Sequence, residues 1–86
     1  MKSSAELSEC IGSVDISNFR NIELRFDLEP WDEQFNMPPG ATFTVIGKGP
    51  ESGCLEVRFY DDRIAVHGWV GSIVSVFHNG VQLGGS

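Results

Sequence analysis

The fold is decided by residues 22–29, which read Ile-Glu-Leu-Arg-Phe-Asp-Leu-Glu. Apolar and charged residues alternate strictly along this stretch, and such a period of two predicts a half-buried β-strand. One face of the strand is apolar, and the other carries charges of both signs. Pro30 follows directly and ends the strand, because proline has no amide hydrogen to donate to a sheet ladder.

The rest of the chain contains more short runs that are rich in valine, isoleucine, phenylalanine and threonine, as strands are. Further strands are predicted at residues 41–47, 54–60, 63–68, 73–78 and 81–83. Residues 61–62 and 79–80 favour tight hairpin turns, whereas residues 31–40 read as a loop. About six strands with little helix predict an all-β fold, either a single small antiparallel barrel or a two-layer sandwich.

The hairpin around residues 61–62 indicates its own register. Pairing across a two-residue turn sets Phe59 opposite Ile64, and the apolar residues of both strands then share one face. The other face pairs Glu56 with His67.

A chain of 86 residues is long enough for one small domain with a modest core. We expect residues 1–20 to form an N-terminal arm that is partly mobile or covers the core, residues 21–83 to form the β domain, and residues 84–86 to be a tail. The apolar residues with which the arm would cover the core are Ile11, Val14, Ile16 and Phe19.

The net charge of −6 limits the classes of partner. A nucleic-acid binder needs a basic patch to neutralise phosphates, so direct nucleic-acid binding is not expected. Docking on an anionic membrane is disfavoured for the same reason. The N-terminal residues show no hydrophobic signal core, which leads us to expect a cytoplasmic protein.

The negative charge is concentrated early in the chain, since five of the six net charges precede Gln34. Asp27, Glu29, Asp32 and Glu33 crowd around Trp31. This segment is interpreted as an acidic patch that steers a basic protein partner, with Trp31 as an anchor. The alternative is a solvated outer face that only aids solubility.

The strand at residues 73–78 is apolar on both faces. Val74 and Val76 match Leu83 across the second hairpin, so Ile73 and Phe77 face the other way. Either the N-terminal arm covers these two side chains, or another chain does. In the second case they mark an interface.

Two tryptophans lie in predicted loops, where a large apolar ring is expected only if it binds or packs against something. Trp31 and Trp69 are interpreted either as hot spots for a partner or as caps over the open ends of the fold.

The histidines offer an alternative of a different class. Glu56, His67 and His78 could form a metal-binding triad, although a cross-strand ion pair plus a histidine at a turn is the plainer interpretation. No cofactor is predicted. Cys10 and Cys54 are expected to be reduced thiols, with a disulfide between them as the alternative.

Several turn and loop residues of this chain resemble those of other small proteins. These residues are Leu28-Glu29-Pro30-Trp31, Met37 to Phe43, Gly71-Ser72 and Asn79-Gly80. The chain resembles small bacterial all-β proteins of unknown function, and its Pro-Pro-Gly turn is similar to a turn of cupin barrels. The resemblance implies a compact β fold and a bacterial, cytoplasmic origin. The cupin metal motif is absent, so no catalytic residue carries over.

The sequence therefore favours a non-enzymatic protein-interaction module, an acidic inhibitor-like or immunity-like domain. A small-ligand or metal-binding mini-barrel is the first alternative. A self-assembling structural subunit, a homo-oligomer built through edge strands or through the Ile73/Phe77 face, is the second.

Overall fold

The computed structural model describes residues 9–50 and 53–85, which form eight strands and no helix. The strands are β1 (Glu9–Ser17), β2 (Leu24–Glu29), β3 (Glu33–Met37), β4 (Thr42–Pro50), β5 (Glu56–Phe59), β6 (Arg63–His67), β7 (Ile73–His78) and β8 (Val81–Gly85). Sheet A has the order β1-β4-β7-β8, and sheet B has the order β3-β2-β6-β5. The all-β prediction is confirmed, and of its two variants the chain adopts the sandwich.

Three pairs of consecutive strands form hairpins, namely β2–β3, β5–β6 and β7–β8. The predicted register of β5–β6 is confirmed, with Phe59 opposite Ile64 and Glu56 opposite His67. The other pairings join strands that are distant in sequence.

One pair of strands is not antiparallel, because β2 and β6 run parallel in the middle of sheet B. The chain leaves sheet B after β3, passes through β4 of sheet A, and returns at β5. Residues 30–62 thus form a crossover long enough to bring β6 beside β2 in the same direction.

The parallel pair defines the two ends of the sandwich. At the end where β2 and β6 begin, the connecting residues are 18–23, 38–41, 60–62 and 79–80. At the opposite end they are 30–32, 53–55 and 68–72. The acidic turn after β2 and the loop before β2 therefore lie at opposite ends of the molecule.

The core lies between the sheets and is built from the inward residues of both. Phe26 of β2 meets Phe43 of β4 edge-on, with ring centroids 5.2 Å apart, an arrangement that aromatic pairs favour. The other buried apolar residues around them are Ile16, Leu24, Leu28, Met37, Ala41, Val45, Ile64, Val66, Val74 and Val76. The alternation thus places Leu24, Phe26 and Leu28 in the core, as predicted, whereas Ile22 precedes β2 and is exposed.

Two predicted irregular segments are strands. The described part of the N-terminal arm forms β1, which pairs with β4 over nine residues. Its serines and glycine hide the strand pattern, but Ile16 enters the core, whereas Phe19 is 94% exposed instead of covering it. The predicted loop at residues 31–40 contains β3. Residues 1–8 lie outside the described residues.

Candidate functional site

The predicted acidic segment does not form one acidic surface. Asp27 lies on the outer face of sheet B and is only 5% exposed. Arg25 Nε lies 3.0 Å from its Oδ1, and Arg63 Nε lies 3.5 Å from its Oδ2. Two guanidinium groups therefore neutralise this carboxylate and cover it.

The contact between Arg25 and Asp27 is an ion pair at Oδ1 and a hydrogen bond at Oδ2. Arg25 Nη2 donates to Oδ2 at 3.2 Å, whereas Oδ1 has no hydrogen-bond partner among the described residues. The short Nε–Oδ1 distance is thus not aligned for a hydrogen bond. The Asp27 carboxylate is therefore engaged by arginines of its own sheet.

The remaining acidic residues of the segment point in different directions. Glu29 is half-buried at the end of β2, and Asp32 is exposed in the left-handed turn before β3, with φ of 59°. Glu33 is half-buried, its Oε1 is buried without a hydrogen-bond partner among the described residues, and its Oε2 approaches Gly84 of sheet A. Only Asp32 is left as a freely exposed carboxylate of the four.

Both tryptophans pack against the protein instead of projecting from it. Trp31 is half-buried and packs against the core, with its ring over Gly68. Trp69 lies over Gly47 and Gly53, and its Nε1 donates a hydrogen bond of 2.8 Å to the Pro50 carbonyl. The geometry fits the interpretation that both rings cap the end of the fold where β2 and β6 finish.

The structure does not bring together Glu56, His67 and His78, the residues of the alternative metal triad. Glu56 and His67 pair across β5 and β6 in sheet B, but His78 belongs to β7 in sheet A. Its ring lies 5.4 Å from the Phe43 ring. No group of three or more residues that could hold a metal ion occurs among the described histidines, cysteines, aspartates and glutamates. Cys54 is exposed and free.

The predicted Ile73/Phe77 face exists on the outer side of sheet A. Ile73 is 58% exposed, Phe77 is half-buried, and Ile46 on the neighbouring strand is 37% exposed. The described part of the N-terminal arm, β1, pairs along the far side of β4 and does not cover them.

The most exposed cluster of apolar side chains was not predicted. It lies at the end where β2 and β6 begin, and we call it the aromatic end. Its members are Phe19, which is 94% exposed, Phe59 at 70%, Ile22 at 47% and Tyr60 at 42%. Phe19 and Ile22 come from the β1–β2 loop, whereas Phe59 ends β5 and Tyr60 begins the β5–β6 turn about 40 residues later, and the topology brings both to one end.

Hydrogen bonds hold these two loops together. Arg20 Nη1 donates to the Asp61 carbonyl at 2.8 Å, joining the β1–β2 loop to the β5–β6 turn. Asn18 is fully buried, and its Nδ2 donates to the Ile22 carbonyl at 2.8 Å. Its Oδ1 accepts the Arg20 amide at 2.9 Å. The aromatic end is thus a braced surface and not a loose loop.

Charged groups flank the aromatic end on the outer face of sheet B. The Arg63 guanidinium lies 4.1 Å above the centre of the Tyr60 ring and pairs with Asp62 at 3.2 Å. Hydrogen bonds that the Arg58 guanidinium donates to Tyr60 and then to Glu56 raise the pKa of Arg58. Tyr60 therefore has the guanidinium groups of Arg58 and Arg63 as neighbours.

Sequence reasoning missed this end for a physical reason. The alternation in the β5–β6 hairpin correctly puts Phe59 on the inner side of sheet B, but Phe59 is the last residue of an edge strand. Whether an inward residue is covered there depends on how far the other sheet extends. Local patterning carries no information about that distance.

Comparisons with protein-family models, with curated proteins and with solved structures find no match for this chain. The described residues contain no helix that is long and apolar enough to span a membrane.

Proposed function

We propose that this chain is a non-enzymatic protein-interaction module that binds its partner through the aromatic end. The observation that carries the proposal is the exposure of Phe19 and Phe59, at 94% and 70%, in one braced cluster. Exposing large aromatic side chains to water is unfavourable, and contiguous exposed apolar patches mark interaction sites in folded proteins.

The composition of the cluster supports this reading. Aromatic residues and arginine are enriched where protein interfaces concentrate their binding energy, and the aromatic end combines Phe19, Phe59 and Tyr60 with Arg20. Because hydrogen bonds already fix the two loops, little conformational entropy is lost on binding.

The charges around the cluster indicate the kind of partner. Glu23, Asp61 and Asp62 are exposed beside the aromatic side chains and form part of a polar rim. The chain as a whole carries a net charge of −6. A partner with an apolar pocket and a basic surround would be steered toward this end.

Affinity capture from the native host tests the proposal. The tagged wild-type chain is compared with the double variant Phe19→Ser/Phe59→Ser and with Val70→Ser, whose side chain is 96% exposed at the opposite end. We expect the double variant to lose the captured protein, with a more than tenfold drop in affinity in a binding assay with that protein. We expect Val70→Ser to retain it.

Two results separate the proposed site from the acidic segment. Undiminished capture by the double variant, with an unchanged thermal unfolding curve, would rule out the aromatic end. Loss of capture in Asp32→Lys alone would instead assign binding to the acidic turn at the other end of the sandwich.

A further inference from the structure

We propose that β8 pairs with β8 of a second copy of this chain, antiparallel about a two-fold axis, so that two A sheets join into one eight-stranded sheet. The proposal concerns an edge strand at the side of the sandwich. It does not depend on the aromatic end or on the proposed function.

The four edge strands differ in how they are protected. Natural edge strands usually carry charges that discourage pairing with another chain. Strand β1 presents the exposed Asp15, β3 carries Glu33, and β5 carries the ion pair of Glu56 with Arg58 at 3.1 Å. Strand β8, by contrast, contains neither a charged residue nor a proline.

The side chains of β8 are also exposed and apolar. Val81 is 64% exposed and Leu83 is 41% exposed. The register with β7 shifts at this point, since Phe77 pairs with Gln82 but Val76 pairs with Gly84, and Leu83 is the extra residue of the bulge. β8 is uncharged, carries exposed apolar residues and has no partner on its outer edge among the described strands, which suits it to strand addition.

The charge distribution favours a second copy as the occupant. In an antiparallel pair about a two-fold axis both strands contribute the same residues, so every charge on the strand enters the contact twice and faces a like charge where it lies near the axis. On β8 no such repulsion arises, although the chain carries a net charge of −6. Pairing would also extend the outer face of sheet A, on which Ile73 and Phe77 lie exposed and half-buried, without a break.

The bulge in β8 limits the affinity that we expect of the dimer. It limits the regular part of β8 to a few residues, so the interface is small, and we expect a dimer that forms at roughly micromolar concentrations or above. The dimer should therefore be absent in dilute solution and become populated as the protein concentration rises.

Sedimentation velocity across a concentration series tests the pairing. We expect the wild-type chain to move from the monomer mass of 9.4 kDa toward twice that mass. The variants Val81→Lys and Leu83→Lys each put a lysine charge on β8 of both copies, as on the edge strands that natural proteins protect, and each should remain monomeric at every concentration. The control Val70→Lys changes a valine that is even more exposed, at 96%, but lies outside β8, and it should dimerise like the wild type.

Hydrogen exchange locates the contact independently of any variant. Amides of β8 should gain protection as the wild-type concentration rises, whereas those of the β5 edge should not. A wild-type chain that stays monomeric at about millimolar concentration, far above the micromolar range expected of so small an interface, overturns the proposal. So does a dimer that survives both lysine variants. A dimer lost in Phe19→Ser/Phe59→Ser would assign self-association to the aromatic end instead.

Discussion

Asn18 is the polar residue that ties the most chain segments together. Its side chain is fully buried and donates to the carbonyls of Ile22 and Met37, at 2.8 and 3.0 Å. Its backbone amide donates to the Ala41 carbonyl, and its own carbonyl accepts from Gly40. One asparagine therefore joins the ends of β1 and β3 to the starts of β2 and β4.

Replacing this residue should be costly because its partners have no substitute. In Asn18→Leu, two carbonyls lose their donor and the Arg20 amide loses its acceptor. We expect the free energy of unfolding to fall by about 2–4 kcal/mol, since each buried unpaired group costs about 1–3 kcal/mol. Chemical denaturation measures the loss.

The matched control for this prediction is Asn21→Leu, because Asn21 is exposed in the same loop. It should change stability by less than about 0.5 kcal/mol. Equal losses in the two variants would show that the loop, and not the buried amide, limits stability.

Asp27 illustrates how a carboxylate can be necessary without being a binding site. Its side chain is 7% exposed between Arg25 and Arg63, whose side chains are 46% and 31% exposed. Asp27→Asn keeps the shape but takes the paired carboxylate from Arg25 and leaves Arg63 with the exposed Asp62. We expect a loss of about 1–2 kcal/mol, less than for a fully buried pair because water still screens the arginines.

The control for Asp27 is Asp62→Asn, which removes a partner of the same Arg63 from a side chain that is 74% exposed. Its expected loss is below about 0.5 kcal/mol, as for surface ion pairs in general. Urea titration of both variants measures the free energy of unfolding. A larger loss of stability in Asp62→Asn than in Asp27→Asn contradicts the structural role given to Asp27.

At the scale of strands, a pair of facing glycines shows how closely the sandwich is packed. Gly12 of β1 and Gly47 of β4 are register partners. A Cβ at Gly47 would lie 2.8 Å from Leu55 Cδ2 and 3.0 Å from the Trp69 ring, whereas at Gly12 the nearest atom is 3.7 Å away. Only the glycine of β4 is required by the Trp69 cap.

We therefore expect opposite outcomes from the same substitution on the two strands. Gly47→Ala should destabilise the chain by about 1–3 kcal/mol because Trp69 and Leu55 must move. Gly12→Ala should be neutral or slightly stabilising, since the space is open and alanine lowers the entropy of the unfolded chain. Thermal unfolding followed by tryptophan fluorescence compares the two, and a larger loss in Gly12→Ala contradicts this account of the cap.

The hairpins that could be predicted from sequence are β5–β6 and β7–β8, whereas β3 was missed although its partner β2 is adjacent along the chain. The β5–β6 and β7–β8 hairpins follow from local alternation and from turns such as Asn79-Gly80, where Asn79 has a φ of 53°. Strand β1 could not be predicted, because its identity as a strand comes from pairing with β4 about 30 residues later. The same holds for the parallel pairing of β2 with β6.

The candidate site shows the same limit more strongly. The outward direction of Ile73 and Phe77 could be predicted, because it depends only on alternation within one hairpin. The aromatic end could not, because Phe19 and Phe59 meet only after both sheets have assembled. The pairing of Asp27 within the acidic segment could not be predicted for a related reason, since Arg63 reaches it from a strand that local patterning does not place beside it.

At the scale of the whole molecule, the two proposed surfaces should act independently. The aromatic end lies at one end of the sandwich, whereas the β8 edge lies along one side of sheet A. Antiparallel pairing of β8 would point the aromatic ends of the two copies in opposite directions. A flat surface coated with the partner could then engage only one aromatic end of each dimer.

This geometry predicts that dimerisation brings no gain from bivalent binding. Leu83→Lys, although monomeric, should bind an immobilised partner with the same apparent affinity as the wild type, within about twofold, because two sites that cannot be engaged together gain no avidity. Surface plasmon resonance at low and high partner density measures this, with Phe19→Ser/Phe59→Ser as the non-binding control. The contradicting outcome is an apparent affinity that rises more than tenfold with partner density in the wild type but stays constant in Leu83→Lys. The two aromatic ends would then point the same way, which antiparallel pairing through β8 does not allow.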